Sequence, residues 1–330
     1  MMKRQLGADG PLVSAIGLGC WNFAGPYGPT DEAESHETLR AALDLGIDFL
    51  DTANVYGNGV SETVIGNFIK DNPAEFTIAT KAGIYRDPET NKRGFNNRPE
   101  HLRGELDKSL KRLGVDHVSL YYIHRRDRTV PLEDVMETLV RFIEEGKIGG
   151  IGFSEISPAT LRMAQAMHPI RAVQSEYSLW SRMPELGVIR ACADLGIAFV
   201  PFSPVGRGIF GSEPPVPATF SDGDFRKNNP RFLEPNFSRN VAAVEPFKAY
   251  AKSLGTKPAT LAMAWVLTRG DHLIPIPGTR SSGHLKEDAG GADLDLTPDM
   301  LAEIDRLLPP GFAHGDRYSE LQQAGAERYC

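Results

Sequence analysis

Four polar residues sit at or just beyond the ends of short apolar runs. Asp51 and Tyr56 belong to FLDTANVYGNGVSE, which begins at Phe49; Lys81 ends FTIATK and His124 ends VSLYYIH. Together they describe proton-transfer chemistry. A neutral phenol, with a pKa near 10, is a poor acid at neutral pH. A neighbouring ammonium stabilises the phenolate and is expected to lower that pKa, and a carboxylate fixes the ammonium in place. An imidazole can orient a carbonyl oxygen or complete a proton path. Such a group protonates an oxyanion as it forms. The matching hydride must come from a reduced nicotinamide, since no side chain supplies one.

The elements that must position these residues alternate. Candidate strands are SAIGLGC (from Ser14), IDFLD (Ile47), FTIATK (Phe76), VSLYYIH (Val118), IGGIGFS (Ile148), AVQSEY (Ala172), GIAFVPFS (Gly196) and HLIPIPG (His272). Between them lie amphipathic segments. One places Leu102, Leu106, Leu110 and Leu113 on one stripe before Gly114; another places Val135, Leu139 and Ile143 before Gly146. Strands and helices in alternation fit either a doubly wound sheet or a closed barrel. Eight strands favour an α/β (β/α)8 TIM barrel, as a single domain over residues 1–330. The first thirteen residues, with an ADG turn, predict a β-hairpin outside the repeat. Residues 210–240, rich in Pro, Gly and Asn, predict a long active-site loop, with residues 211–239 forming the pocket rim. The loop GIYRDPETNKRGFNNRPE after Lys81 has the same character. Residues 309–330 form a tail that could cover the pocket, mediate contacts or fray.

Composition narrows the function. The chain has 330 residues, 41% hydrophobic and 24% charged, and a net charge of −7, with mean hydropathy −0.28 and a pI near 5.7. No long basic run invites nucleic acid, and no apolar run has the length of a membrane span. The N-terminus is basic without the apolar stretch of a signal peptide. Cys20, Cys192 and Cys330 are too few and scattered for a disulfide framework, so a cytoplasmic setting is expected. His36, His101, His117, His168, His272 and His314 lack ligand spacing, and no metal is expected.

With those residues located, the chain resembles the aldo-keto reductase superfamily. DTANVYGNGVSETVIG, ATKAG, LDKSLKRLGVDHVSLYYIH, EEGKIGGIGFSE, AVQSEYSLW, PFSPVGRGIFG and IPIPGTR follow the order of its signature segments. SPATLRMAQAMHPIRAVQSEYSLWSR is most similar to the branch of potassium-channel β-subunit-like and plant auxin-induced-type reductases. The resemblance implies a (β/α)8 barrel with NADPH extended across its C-terminal mouth. It implies a tetrad of Asp51, Tyr56, Lys81 and His124, with Tyr56 as acid/base. It assigns Ser154 and Gln174 to the nicotinamide carboxamide and Phe202 to stacking on the ring. Ser203, Val205, Gly206 and Arg207 fall along the pyrophosphate, and Gly278, Thr279, Arg280 and Glu287 at the adenosine end. Ser281 and His284 stand where the family often has Arg or Lys, leaving Arg280 as the 2′-phosphate partner.

Two further departures matter. Glu155 replaces the Asn that usually follows Ser154. Asp288 replaces another Asn and is expected to add negative charge, so NADH use stays open beside NADPH. Trp21, Tyr27, Tyr85, Arg125 and Trp180 are substrate-pocket candidates, Arg125 for an acidic substrate, although ordinary packing competes for each aromatic. Arg126 and Arg128 read as a solvated basic loop. The leading function is NADPH-dependent reduction of small aldehydes, extending to ketones. The alternatives are a cofactor-sensing interaction protein with slow turnover, and a sugar or alcohol dehydrogenase. Oligomeric state is not legible.

Overall fold

The computed structural model describes residues 1–72, 76–87, 89–90 and 92–329. Cys330 and, in the loop after Lys81, Pro88 and Asn91 lie outside them. Strands β1 (Lys3–Gln5) and β2 (Leu12–Ser14) form the expected antiparallel hairpin. The chain then runs through β3 (Leu18–Gly19), β4 (Phe49–Asp51), β5 (Thr77–Ala82) and a side hairpin of β6 (Ile84–Arg86) and β7 (Arg93–Phe95). It continues through β8 (Leu120–Ile123), β9 (Ile151–Ser154), β10 (Ile170–Glu176) and β11 (Ala198–Phe202). Outside the hairpins these strands pair in parallel, each beside the next in sequence.

Residues 273–278 close the circle. Leu273 and Ile276 bridge to Phe199 and Phe202 on one side, and Gly278 bridges to Gly19 on the other. HLIPIPG therefore acts as the eighth stave, but as isolated bridges instead of a continuous ladder. Pro275 and Pro277 have no N–H to donate. Their carbonyls still accept from Gly17 and Gly19 at 2.9 and 3.0 Å.

The barrel interior is filled. Phe49, Ala79, Leu120, Tyr122, Ala172, Val200 and Ile274 form one buried cluster, joined by Leu6 and Val13 of the hairpin. Gly152 is required here: a Cβ would lie 2.4 Å from the Tyr122 ring, so only glycine lets that ring occupy the interior. The helices supply an outer layer: α1 (Glu32–Asp44), α2 (Val60–Asp71), α3 (Pro99–Leu113), α4 (Leu132–Glu144), α5 (Pro158–Met167), α6 (Val188–Leu195), α7 (Asn236–Ser253), α8 (Pro258–Leu267), α9 (Ser282–Ala289) and α10 (Pro298–Leu307). The expected leucine stripe of α3 is buried, and Gly114 caps the helix with φ 69°. Helix α7 starts at Asn236, earlier than the NVAAVEPF segment suggests.

The long loop is packed from within. Phe232 stacks on Phe237 at 5.9 Å and meets Phe220 and Trp180 edge-on. The tail folds back over the barrel mouth, so that Tyr318 and Tyr329 are buried.

Candidate active site

Asp51 ends β4 and Lys81 lies in β5. Asp51 pairs with Ala79 in the ladder, and Lys81 pairs with Tyr122 two residues further on. With a period of two, this register keeps Asp51 and Lys81 on one face. Lys81 is fully buried and spends every donor it has. Its Nζ donates to Asp51 Oδ1, to the Thr52 carbonyl at 2.8 Å and to Tyr56 Oη at 3.3 Å. Burial opposes the charge, yet Asp51 and Tyr56 raise the Lys81 pKa above its ordinary value, so it stays an ammonium. Gln174 Nε2 donates to the other Asp51 oxygen at 2.7 Å.

Tyr56 opens a tight turn, not an extended loop. Gly57, Asn58 and Gly59 follow it with φ of 60°, 55° and 95°, and α2 starts immediately after. Three successive left-handed residues reverse the chain and aim the phenol back over the barrel mouth. Because Tyr56 Oη accepts from Lys81, its own proton is left to donate. Burial raises its pKa, outweighing the lowering by Lys81 and Arg125. The expected net lowering is therefore not found in this structure. The phenol stays protonated at neutral pH, while the ammonium stabilises phenolate once it forms.

His124 follows β8, its ring 5.8 Å from Tyr56 and edge-on to it. Burial, then Arg125, Lys81 and Arg93, hold its pKa well below the usual value, so the imidazole is neutral. Its Nδ1 is buried without a hydrogen-bond partner.

A cavity of about 870 Å³ runs from Asp51, Tyr56 and His124 across the barrel mouth, a size suited to a cofactor with a small substrate. Ser154, Gln174, Phe202, Ser203, Val205 and Arg207 line its middle, and Gly278, Thr279, Arg280, Ser281, His284, Glu287 and Asp288 its far end. Gly206 does not line it. It contributes the turn instead, with φ 60° and no room for a side chain. Arg280 Nη1 donates to the Gly28 carbonyl at 2.8 Å, and its Nε lies 3.6 Å from Glu34. Asp288 behaves unlike the expected extra negative charge: burial and the neighbouring Glu287 push its pKa up to about 8, keeping it mostly neutral at pH 7.

Trp21, Tyr27 and Arg125 line the pocket as expected. Trp21 packs 5.9 Å from Tyr56 and 5.1 Å from Phe225. Two aromatic candidates do not line it. Tyr85 projects from β6 against His101, leaving Ile84 and Arg86 on the pocket side. Trp180 is buried behind the wall against Phe232, with the Arg231 guanidinium 4.8 Å from its ring. Aromatic identity alone says nothing of which face a side chain takes. The long loop does supply rim residues, among them Gly211, Glu213, Phe225 and Arg226.

Sequence reasoning left the tail open between covering the pocket, mediating contacts and fraying, and singled out none of its residues. Tyr318 and Gln322 line the cavity. The tail that carries them is anchored by Glu155, which is buried with φ 56°. Its carboxylate takes both Arg317 Nη atoms, the Tyr329 hydroxyl at 2.7 Å and the Glu176 N–H at 3.0 Å. Glu176 in turn binds Arg207 at 2.6 Å. The left-handed backbone at 155 suits Asn better than Glu on steric grounds. Here the glutamate is retained at a strained position and anchors the tail. Arg126 is not solvated, because the tail covers it and brings Glu327 to 4.0 Å; Arg128 is exposed as expected. Among the described residues the non-glycine positive-φ positions are Asn58, Glu155, Ser203 and Arg207. All four belong to this site or its supports, where backbone strain tends to collect. No group of side chains suited to a metal ion occurs among the described residues.

Known proteins share both sequence and fold with this chain. The profile of the Aldo/keto reductase family matches residues 15–309. The chain is 38% identical over 320 residues to "Aldo-keto reductase yakc [NADP(+)]" of Schizosaccharomyces pombe, covering 96% of this chain and 94% of that protein. It is 40% identical over 321 residues to "Probable aldo-keto reductase 1" of Glycine max, covering 95% and 91%. Among solved structures, the glycerol dehydrogenase AKR11B4 from Gluconobacter oxydans superposes with a TM-score of 0.84 at 28% identity, over 93% and 94% of the two chains. The aldo-keto reductase AKR11C1 from Bacillus halodurans shares the fold, with a TM-score of 0.79 at 23% identity over 98% and 99%. The chain belongs to the aldo/keto reductase family.

Proposed function

We propose that the protein reduces aldehydes, with ketones as a further carbonyl class to test, using NADPH as hydride source and Tyr56 as proton donor. The observation that carries this reading is the saturated Lys81. One buried ammonium holds both Asp51 and Tyr56 and leaves the phenol proton free at the pocket floor. The residues around the cavity suit the cofactor. Ser154 Oγ accepts from Arg125 at 2.9 Å, so its hydroxyl proton is available to a carboxamide. Phe202 offers a ring face, and Arg280 offers a guanidinium for the 2′-phosphate, unopposed by a largely neutral Asp288. NADP(+) in the name of the fission-yeast relative points the same way.

Bound there, NADPH supplies the hydride. The chain does the rest. Neutral His124 orients the carbonyl oxygen beside Tyr56. As charge develops on that oxygen, Tyr56 transfers its proton and Lys81 stabilises the phenolate left behind. Trp21, Phe225 and Tyr318 enclose the reacting carbonyl and limit water. Cys20 and Cys192 are buried free thiols, compatible with a reducing, cytoplasmic setting. No described helix is long and apolar enough to cross a membrane.

The test is paired binding of NADPH and NADH by fluorescence quenching, followed by a carbonyl panel with the preferred form. Tighter NADPH binding and turnover on aldehydes support the reading. Absence of turnover on every carbonyl, with either cofactor, would sink it.

A further inference from the structure

Arg86 apart, the arginines lining the cavity fall into two groups. Arg207 pairs with Glu176 at 2.6 Å, Arg226 with Asp224 at 2.7 Å, and Arg280 lies 3.6 Å from Glu34. The protein itself neutralises the first two, and the third meets Glu34 only loosely at the end assigned to the cofactor 2′-phosphate. Beside His124 the arrangement differs. Arg125 is buried, and its Nη1 donates to the His124 carbonyl at 2.6 Å and to Ser154 Oγ at 2.9 Å; its Nε is buried with no partner. Arg93 reaches over the same end from β7, its guanidinium 5.2 Å from the Phe95 ring. Among the described residues neither has a carboxylate in ion-pair contact; Glu155, whose charge Arg125 helps to stabilise, is already bonded by both Arg317 Nη atoms and the Tyr329 hydroxyl.

The cavity's own carboxylates are engaged or distant. Asp51 is held by Lys81 and Gln174, Glu213 belongs to the long loop, and Glu34, Glu287 and Asp288 stand at the Arg280 end. The local field is correspondingly positive. Arg93 is exposed, and partial desolvation followed by repulsion from Arg125 and Arg86 lowers its pKa to about 10. An anion entering this end would relieve that repulsion and gain charge-assisted hydrogen bonds. Across the cavity, Trp21, Tyr27 and Phe225 form an aromatic wall, with ring centres 5.4 and 5.1 Å from Trp21.

We propose that the carbonyl substrates of this enzyme carry an anionic group, a carboxylate or a phosphate, which Arg93 and Arg125 receive while an apolar body lies on the Trp21 wall and the carbonyl faces Tyr56. The assignment rests on the reductase reading for its orientation but not for the anion site itself.

The experiment compares matched charged and neutral aldehydes with NADPH: 4-carboxybenzaldehyde against 4-methylbenzaldehyde, and glyceraldehyde 3-phosphate against glyceraldehyde. At low salt the charged member of at least one pair should have the higher kcat/KM by about tenfold or more, the scale of a charge-assisted contact. The larger ratio identifies the anion. Raising NaCl should shrink that ratio, and Arg93→Met should bring it down at least threefold, with Arg93→Lys keeping part of it. Ratios near one in both pairs, or a ratio that Arg93→Met leaves unchanged, overturn the proposal. Calorimetric titration of 4-(hydroxymethyl)benzoate against benzyl alcohol reads the anion site without turnover. If no aldehyde is reduced but the charged alcohol binds about tenfold tighter, the reductase reading fails and the anion site stands. If both alcohols bind equally, the anion site falls as well.

Discussion

Replacing Glu155 by Gln should release the C-terminal tail at little change in volume. The magnitude follows from what the carboxylate does. Against burial, which raises it, Arg317 and then Arg125 and the Glu176 N–H hold its pKa at about 2, compared with 4.5 for a free side chain. That difference corresponds to about 3 kcal/mol favouring the charged form in the folded protein. Breaking a buried ion pair costs roughly 3–5 kcal/mol. The lower end applies here, because Glu176 lies 3.7 Å from Arg317 and keeps part of its charge compensated. Urea unfolding of Glu155→Gln at pH 7 should therefore show a loss of about 3 kcal/mol. Trypsin should cut the tail faster than in the wild type, and the cofactor KM should rise because Tyr318 and Gln322 no longer hold the cavity wall. The wild type carries a pH signature as well. Its folded pKa lies below the unfolded one, so this stabilisation is complete above about pH 5 and lost as pH falls toward 2; the variant lacks that loss. Glu155→Asn separates backbone from charge. It suits φ 56° and so loses less stability than Gln, yet it frees the tail equally. A Gln variant within about 0.5 kcal/mol of wild type, with a tail cut at the wild-type rate, would refute the anchoring argument.

Other predictions follow from the same geometry. Asp288 has a pKa near 8 and lies at the Arg280 end. NADPH affinity should therefore weaken as pH rises through 8 and the carboxyl ionises, and Asp288→Asn should flatten that profile in a titration series from pH 6.5 to 9. Trp180→Phe should lower stability by about 1–2 kcal/mol without moving any aldehyde KM by more than twofold, because Trp180 packs behind the wall. Tyr85→Ala should likewise leave the aldehyde KM within twofold in steady-state assays.

The barrel, and the meeting of Asp51, Tyr56, Lys81 and His124 at its mouth, were legible because they are local. Strand length, flanking glycines and the period of each helix are written within ten or fifteen residues, and a polar group that ends a buried strand can point only toward the mouth. Even HLIPIPG was recognisable as a stave, although its prolines leave it bridges in place of a ladder. What stayed hidden was set by distant partners. Glu155 looked like a lapse from a pattern until Arg317, 162 residues later, came to rest against it. Arg126 looked solvated because nothing nearby in sequence covers it. Tyr85 and Trp180 were indistinguishable from Trp21 by residue type, and only the side taken by β6 and the packing of Phe232 separate them. The charge of Asp288 was misjudged for a related reason, since burial is a property of the fold and not of the residue.

The central claim is that Tyr56 delivers the proton while Lys81 holds it in place. The most direct test is single-turnover oxidation of bound NADPH by a good aldehyde substrate, comparing wild type with Tyr56→Phe at equal cofactor occupancy. Loss of a general acid predicts a fall of roughly 10²- to 10⁴-fold in the hydride-transfer rate with cofactor affinity preserved. A Tyr56→Phe rate within threefold of wild type would contradict the account.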